Sequence, residues 1–95
     1  MPLPFSELRV AVPDRVITRA VEGTMVLLDI DTGRSFTLDE TGVRAWTLLT
    51  SSPSVERAYD ALLAEYQVDP KQLRQDLETL INDLCAKDLL ETHRA

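Results

Sequence analysis

The sequence has one cysteine and one histidine, so the residue types that most often hold metals or attack substrates are nearly absent. Cys85 has no second thiol for an internal disulfide, which fits a reducing compartment. Cys85 and His93 together cannot complete a four-ligand zinc site. Cys85 falls on the apolar stripe of a predicted helix and His93 in a predicted frayed tail, so no nucleophile and base are placed together. We therefore predict no enzyme, no catalytic residue and no metal.

Glycine-rich loops and long apolar runs are also missing. The three glycines are isolated, and none lies in a G-x-G-x-x-G or P-loop pattern, so we expect no nucleotide or other cofactor. No apolar run approaches the roughly 20 residues of a membrane span. The start of the chain, MPLPFSELRV, lacks the basic and then apolar regions of a secretory signal. These absences predict a cytoplasmic protein without membrane contact.

Positive charge is scarce where a nucleic-acid-binding protein would need it. The formal net charge is −6, and residues 36–95 carry eleven acidic and six basic side chains. A surface that binds the phosphates of a nucleic acid needs a net positive charge. Basic or mixed-charge peptides are better partners for this chain, and we expect no nucleic acid partner.

What the sequence does contain is a series of short strands in its first third. Strands are predicted at Val16–Val21, Thr24–Ile30 and Ser35–Leu38, after a less regular alternation near residues 8–12. Glu22-Gly23 suits a two-residue hairpin loop, and Asp31-Thr32-Gly33-Arg34 suits a turn closed by glycine. In the second predicted strand, Val26, Leu28 and Ile30 share one face, and we assign that face to the core.

Three helices are predicted after the strands. The first is capped by Asp39 or Thr41 and runs to about Leu49, with Trp46 on its core face. The second begins after Ser54 and carries a broad apolar stripe. The third has Asp69 at its cap, Pro70 at its first position and Gln72 where a capping box places Glu or Gln.

The pattern as a whole predicts one α+β domain over residues 1–95. Its architecture is winged-helix-like, with a three-stranded antiparallel sheet followed by three helices. The short strand Ser35–Leu38 offers an edge whose N–H and C=O groups can pair with a peptide as an added strand. A peptide-binding module is the first functional hypothesis.

Two alternatives stay open. The first is a winged-helix DNA-binding regulator, with the third helix in the major groove. The polar face of that helix carries nearly equal numbers of basic and acidic side chains, which disfavours DNA binding. The basic residues are Lys71, Arg74 and Lys87, and the acidic residues are Asp76, Glu78, Asp83 and Asp88. The second is a structural subunit that forms a homodimer through Met25 and Leu27 on the outer sheet face.

Three segments of the sequence together resemble the PqqD-like family. They are VPDRVITR, MVLLDIDTGRSFTLDETGVRAWTLL and YDALLAEYQVDPKQLRQDLETLINDLCAKDLL, which span roughly residues 8–92. The most specific parts are the L-D-x-D-T-G-x-x-F-x-L-D-E-x-G-x-x-x-W block and the Y-x-V-D-P start of the last helix. Their order and spacing, rather than any one motif, carry the resemblance.

The resemblance implies a domain that recognises the leader of a ribosomally synthesised precursor peptide. In such domains the leader docks as an added strand against the third helix. The domain then presents the precursor to a separate modifying enzyme, such as a radical SAM protein, a cyclase or a protease. Carried onto this chain, the resemblance implies a receiving strand of Arg34, Ser35, Phe36, Thr37 and Leu38, faced by Arg74, Leu77, Glu78 and Ile81.

Overall fold

The fold consists of two small sheets and three helices in the computed structural model, which describes residues 4–95. A short 3-10 turn, Phe5–Glu7, precedes β1. The elements that follow are β1 (Leu8–Ala11), β2 (Val16–Val21), β3 (Thr24–Asp29), β4 (Ser35–Leu38), α1 (Glu40–Ser51), α2 (Val55–Glu65), α3 (Pro70–Ala86) and β5 (Glu91–Arg94). The predicted three-stranded antiparallel sheet followed by three helices is confirmed.

The main sheet has the strand order β2-β3-β4 and is antiparallel throughout. Glu22 and Gly23 form the predicted two-residue loop, with φ values of 46° and 84°. Positive φ at both positions matches the turn to the right-handed twist of the hairpin. Gly33, at φ 76°, closes the second turn. β4 therefore follows β3 directly and becomes one edge of the sheet.

The predicted core face of β3 is wrong. Leu27 and Asp29 are fully buried and Met25 packs against the core, whereas Ile30 is 59% exposed and lies beyond the strand. Hydrogen bonds satisfy the Asp29 carboxylate, so this charged residue can occupy the inner face that the sequence pattern gave to Leu28. A one-residue error in phase turns every side chain to the other face. The proposed dimer through Met25 and Leu27 loses its basis, because neither belongs to the outer face.

The predicted frayed tail is a strand. β5 pairs antiparallel with β1 from Leu8↔Arg94 to Ala11↔Glu91, and His93 lies within it. The Ala95 amide adds a 2.8 Å hydrogen bond to the Glu7 carbonyl. The end of the chain is thereby fixed beside its beginning.

The helices begin where the sequence predicts. Asp39 accepts from the Gly42 amide at 2.8 Å, and Ser54 caps α2. Asp69 accepts from the backbone at the start of α3, but the capping box is not formed. Instead, the Gln72 amide group donates to Asp76 at 2.9 Å, one turn further along α3. The cap therefore rests on Asp69 and on the fixed φ of Pro70.

A single hydrophobic cluster joins both sheets to the helices. Trp46 is 5% exposed and lies in the core, as predicted. Leu84 of α3 and Leu89, just before β5, are fully buried. Among residues 4–95, no helix has the length and apolar character needed to cross a membrane.

Candidate functional site

The free edge of β4 is the first feature that can bind a partner. Within residues 4–95, β4 pairs with β3 on one side only, and the register runs from Met25↔Leu38 to Leu28↔Ser35. An edge strand presents backbone donors and acceptors that still need partners. Which residues present them depends on the phase of the ladder.

The turn before β4 fixes that phase. The Asp29 amide donates to the Arg34 carbonyl at 2.9 Å, and the Gly33 amide donates to the Asp29 carbonyl at 2.8 Å. Because hydrogen-bonded and non-hydrogen-bonded pairs alternate along an antiparallel ladder, Phe36 and Leu38 direct their backbone groups toward β3. Ser35 and Thr37 direct their N–H and C=O groups outward. The β4 edge thus offers two residues for strand addition.

A buried carboxylate holds the start of β4 in place. Asp29 accepts from the Asp31 amide at 2.9 Å, from the Thr32 amide at 3.3 Å and from the Arg15 guanidinium at 3.0 Å. Burial of the carboxylate acts to raise its pKa, but these hydrogen bonds outweigh it and lower the pKa below the usual value. Arg15 also donates to the Asp88 carbonyl at 3.0 Å. One arginine therefore connects the β3–β4 turn to the turn before β5.

The C-terminal end of α3 lies beside β4. The Arg34 guanidinium is 3.5 Å from the Ala86 carbonyl oxygen, and the Lys87 ammonium lies 5.7 Å from the centre of the Phe36 ring. Phe36 is half-buried between the inner sheet face and this end of the helix. These contacts bring Arg34 and Phe36, two predicted site residues, together with α3.

Leu77 of α3, one of the predicted site residues, lines an apolar groove between α1 and α3 of about 220 Å³. We call it the α1 groove. It is lined by Thr41, Gly42, Ala45, Leu62, Tyr66, Val68, Gln72, Leu73, Asp76, Leu77 and Leu80. Leu77 itself is 2% exposed and belongs to the core floor. Tyr66 and Val68 are exposed large hydrophobic residues at its rim, and α1 begins directly after β4.

The other three predicted α3 residues lie elsewhere. Arg74, Glu78 and Ile81 line a larger groove of about 520 Å³ on the side of α3 next to β5, which we call the β5 groove. Its remaining lining comes from Pro4, Phe5, Leu8, Asn82, Cys85, Thr92, His93 and Arg94. No β4 residue lines it. The structure therefore does not bring Arg74, Glu78 and Ile81 together with the predicted receiving strand.

Arg74 is held by several contacts within this groove. Its guanidinium lies 4.5 Å from the ring centres of both Phe5 and Tyr59, and it pairs with Glu56 at 3.4 Å. Phe5 and Tyr59 pack edge to face, with ring centres 6.1 Å apart. A cation over aromatic faces is stabilised by their quadrupoles. Arg74 thus has a clear role in fixing the N-terminal segment to α2 and α3.

Sequence reasoning missed Asp29 and Lys87. A signal for Asp29 was present, because an aspartate two residues before the D-T-G turn is placed to accept from the turn amides. The alternation of Val26, Leu28 and Ile30 instead placed Asp29 on the face opposite the predicted core. Nothing local in the sequence indicated Lys87, because its contact with Phe36 joins residues distant along the chain.

The described residues offer little for bond-making chemistry. Burial raises the pKa of the Cys85 thiol, which disfavours the reactive thiolate. His93 lies 3.3 Å from Glu91 on β5. Among residues 4–95, no cluster of His, Cys, Asp or Glu has a metal-binding arrangement. The features that remain for contact with a partner are the strand edges and the grooves.

The geometry defines a class: a small winged-helix-like α+β domain that exposes a strand edge beside its third helix. The chain belongs to the family described as Coenzyme PQQ synthesis protein D (PqqD), which it matches over residues 24–90. It is also similar to a solved structure, "TbiB1 in Complex with the TbiA(beta) Leader Peptide". The two share 38% identity with a TM-score of 0.77, covering 84% of this chain and 93% of that chain. None of the curated proteins compared matches the chain.

Proposed function

We propose that this protein is a peptide-binding module that recognises the leader of a ribosomally synthesised precursor peptide. The leader adds as a strand to β4, and the observation that carries the proposal is the outward-facing backbone of Ser35 and Thr37. Backbone pairing supplies affinity, while alternate side chains of the peptide enter pockets and supply specificity. The solved relative TbiB1, whose structure contains a leader peptide, supports this proposal.

The protein acts without catalysis of its own and presents the bound precursor to a separate enzyme. The enzyme is a radical SAM protein, a cyclase or a protease, as the family resemblance implies. The raised pKa of Cys85 supports a recruiting role rather than a nucleophilic one. We place the encounter in the cytoplasm, where precursor and enzyme would meet.

The proposed leader site comprises Arg34–Leu38 and the wall that α3 forms beside it. Phe36 of β4 and Lys87 at the C-terminal end of α3 lie close together at one end of the proposed site. The α1 groove, which Leu77 lines, lies at its other end. Roles for Arg74, Glu78 and Ile81 in leader binding stay predictions, and their position in the β5 groove favours a different role. The alternative of DNA binding gains no support from the structure, because exposed α3 positions include Asp76, Glu78 and Asp83.

A titration followed by amide NMR tests the site. The probe is the TbiA(beta) leader peptide, added to isotopically labelled protein. We expect shifts in Ser35–Leu38 and at the β4-facing end of α3. Thr37→Pro removes one outward donor without removing a ladder bond to β3, and should weaken binding about tenfold or more. Shifts confined to other regions, or full affinity in Thr37→Pro, would contradict the proposed site.

A further inference from the structure

The β5 strand has a free edge of its own, and its phase is fixed. The Ala95 amide donates to the Glu7 carbonyl, so the Arg9↔His93 and Ala11↔Glu91 pairs are also hydrogen-bonded pairs. Thr92 and Arg94 therefore direct their N–H and C=O groups away from β1. In residues 4–95, β5 has no other strand partner.

These outward groups open into a groove that can hold a peptide. Thr92 and Arg94 both line the β5 groove, and α3 forms its opposite wall through Glu78, Ile81 and Asn82. Its volume of about 520 Å³ is within the range of ligand pockets in proteins. An extended segment paired with β5 would lie between this strand and α3.

The charge of the β5 groove indicates the chemistry of the occupant. Arg94 lies on the β5 edge itself and has no ion-pair partner among residues 4–95. Arg74 also lines the groove but is paired with Glu56, and Glu78 lies on the opposite wall. This unpaired cation on the β5 edge contrasts with the net charge of −6 for the whole chain. Complementarity across an interface favours a partner of opposite sign.

We propose that the β5 edge is a second strand-accepting site, which takes an extended acidic segment of a protein partner. Backbone pairing to Thr92 and Arg94 holds the segment, apolar side chains rest on Ile81 and Phe5, and carboxylates face Arg94. This site is separate from the leader site on β4, and α3 lies between them. A precursor and a partner protein can therefore be held at the same time.

Two synthetic probes test the proposal: an extended peptide that alternates valine with glutamate, and one that alternates valine with lysine. Binding is followed by fluorescence anisotropy and by amide shifts in β5. We expect the valine–glutamate peptide to shift Thr92 and Arg94 and to bind about tenfold or more tightly than the valine–lysine peptide. Equal binding of the two probes, or no β5 shift at millimolar peptide, would overturn the proposal.

Matched variants separate this site from the leader site. Thr92→Pro removes an outward donor from β5 and leaves the ladder to β1, so it should lower affinity for the valine–glutamate peptide about tenfold. Thr37→Pro should leave that affinity unchanged. Arg94→Glu should lower affinity for the acidic probe and raise it for the basic one. If Thr92→Pro binds as well as wild type while Thr37→Pro does not, the probe uses β4 and the second site does not exist.

Discussion

The β4 and β5 edges use the same backbone chemistry in different surroundings. Each is a four-residue strand that directs the N–H and C=O groups of two residues outward. β4 ends a three-stranded sheet and continues into α1 beside an almost wholly apolar groove, whereas β5 ends a two-stranded sheet beside a groove with two arginines. The comparison predicts that each strand edge supplies general affinity through its backbone, while the groove beside it sets which peptide binds.

The two edges also share an anchor. Arg15 donates to Asp29 at the turn before β4 and to the Asp88 carbonyl at the turn before β5. Asp88 has φ 58°, a left-handed conformation that few non-glycine residues adopt. The hydrogen bond from Arg15 helps to hold this turn. Loss of Asp29 should therefore loosen β4 directly and β5 only through Arg15.

The largest expected effect comes from proline at an inward-facing position of β4. Phe36→Pro removes a ladder donor to β3 and the ring contact with Lys87, and should destabilise the fold by about 3 kcal/mol or more. Thr37→Pro, with its amide directed outward, should change the free energy of unfolding by less than about 1 kcal/mol. Denaturant unfolding measures both. Equal losses in the two variants would show that the assigned ladder phase is wrong.

Proline at His93 makes the corresponding change in β5. His93 donates inward to β1, so His93→Pro also removes a ladder bond, but from a two-stranded sheet at the end of the chain. We expect a loss of about 1 kcal/mol, measured in the same way. A loss as large as that of Phe36→Pro would mean that β5 is as important to the fold as the main sheet.

The fold was predictable from local signals, because turns and caps are read from a few adjacent residues. Gly23, Asp39 and Asp69-Pro70 each behave as their residue types require, whereas Glu22 takes a left-handed φ that few non-glycine residues adopt. The phase of β3 was not predictable in the same way. Alternation alone cannot show that Asp29 is buried, because the arginine that pairs with it lies fourteen residues earlier in the chain.

The candidate site was predictable only in its strand. Ser35–Leu38 was correctly placed as a strand, and β4 is an edge of the sheet. The α3 wall could not be read from the sequence, because Arg74, Glu78 and Ile81 lie only about 40–100° from Leu77 around the helix axis. Those angular differences decide which groove each side chain enters. β5 was missed because four exposed polar residues carry no strand pattern.

A third prediction concerns Asp29→Asn. The asparagine oxygen can still accept from the turn amides, but its NH₂ group opposes the Arg15 donor, so the charge-assisted bond is lost. We expect the melting temperature to fall by roughly 5–10 °C. Amide exchange should increase at Gly33 and Arg34 more than at His93, whose amide donates to β1. Equal acceleration at both edges would show that Arg15 couples them fully.

A fourth prediction is a pH dependence that affects the β4 edge. The pKa of Asp29 is lowered in the folded state, so its contribution to stability is complete above its ordinary pKa of about 3.9. That contribution is lost as the pH falls through the lower, folded pKa. Stability should therefore fall below about pH 4. Arg44 likewise lowers the pKa of Glu65, so the acid loss should shrink, but not vanish, in Asp29→Asn.

The smallest expected effect tests the contact between α3 and β4. Lys87→Met keeps an unbranched side chain near Phe36 but removes the cation from its ring, at a cost of about 0.5–1 kcal/mol. The variant should loosen the α3 end of the β4 edge and weaken leader binding by a few-fold, with no effect on an acidic peptide bound at β5.

Arg74→Met is the matched change on the other side of α3, where a cation lies over Phe5 and Tyr59. Unfolding curves and the two peptide titrations distinguish the variants, because each should affect the edge on its own side of α3. If Lys87→Met weakened binding of the β5 peptide as much as binding of the leader, the two edges would not be independent sites. Such a result would mean that a change on one side of α3 is transmitted to the other side.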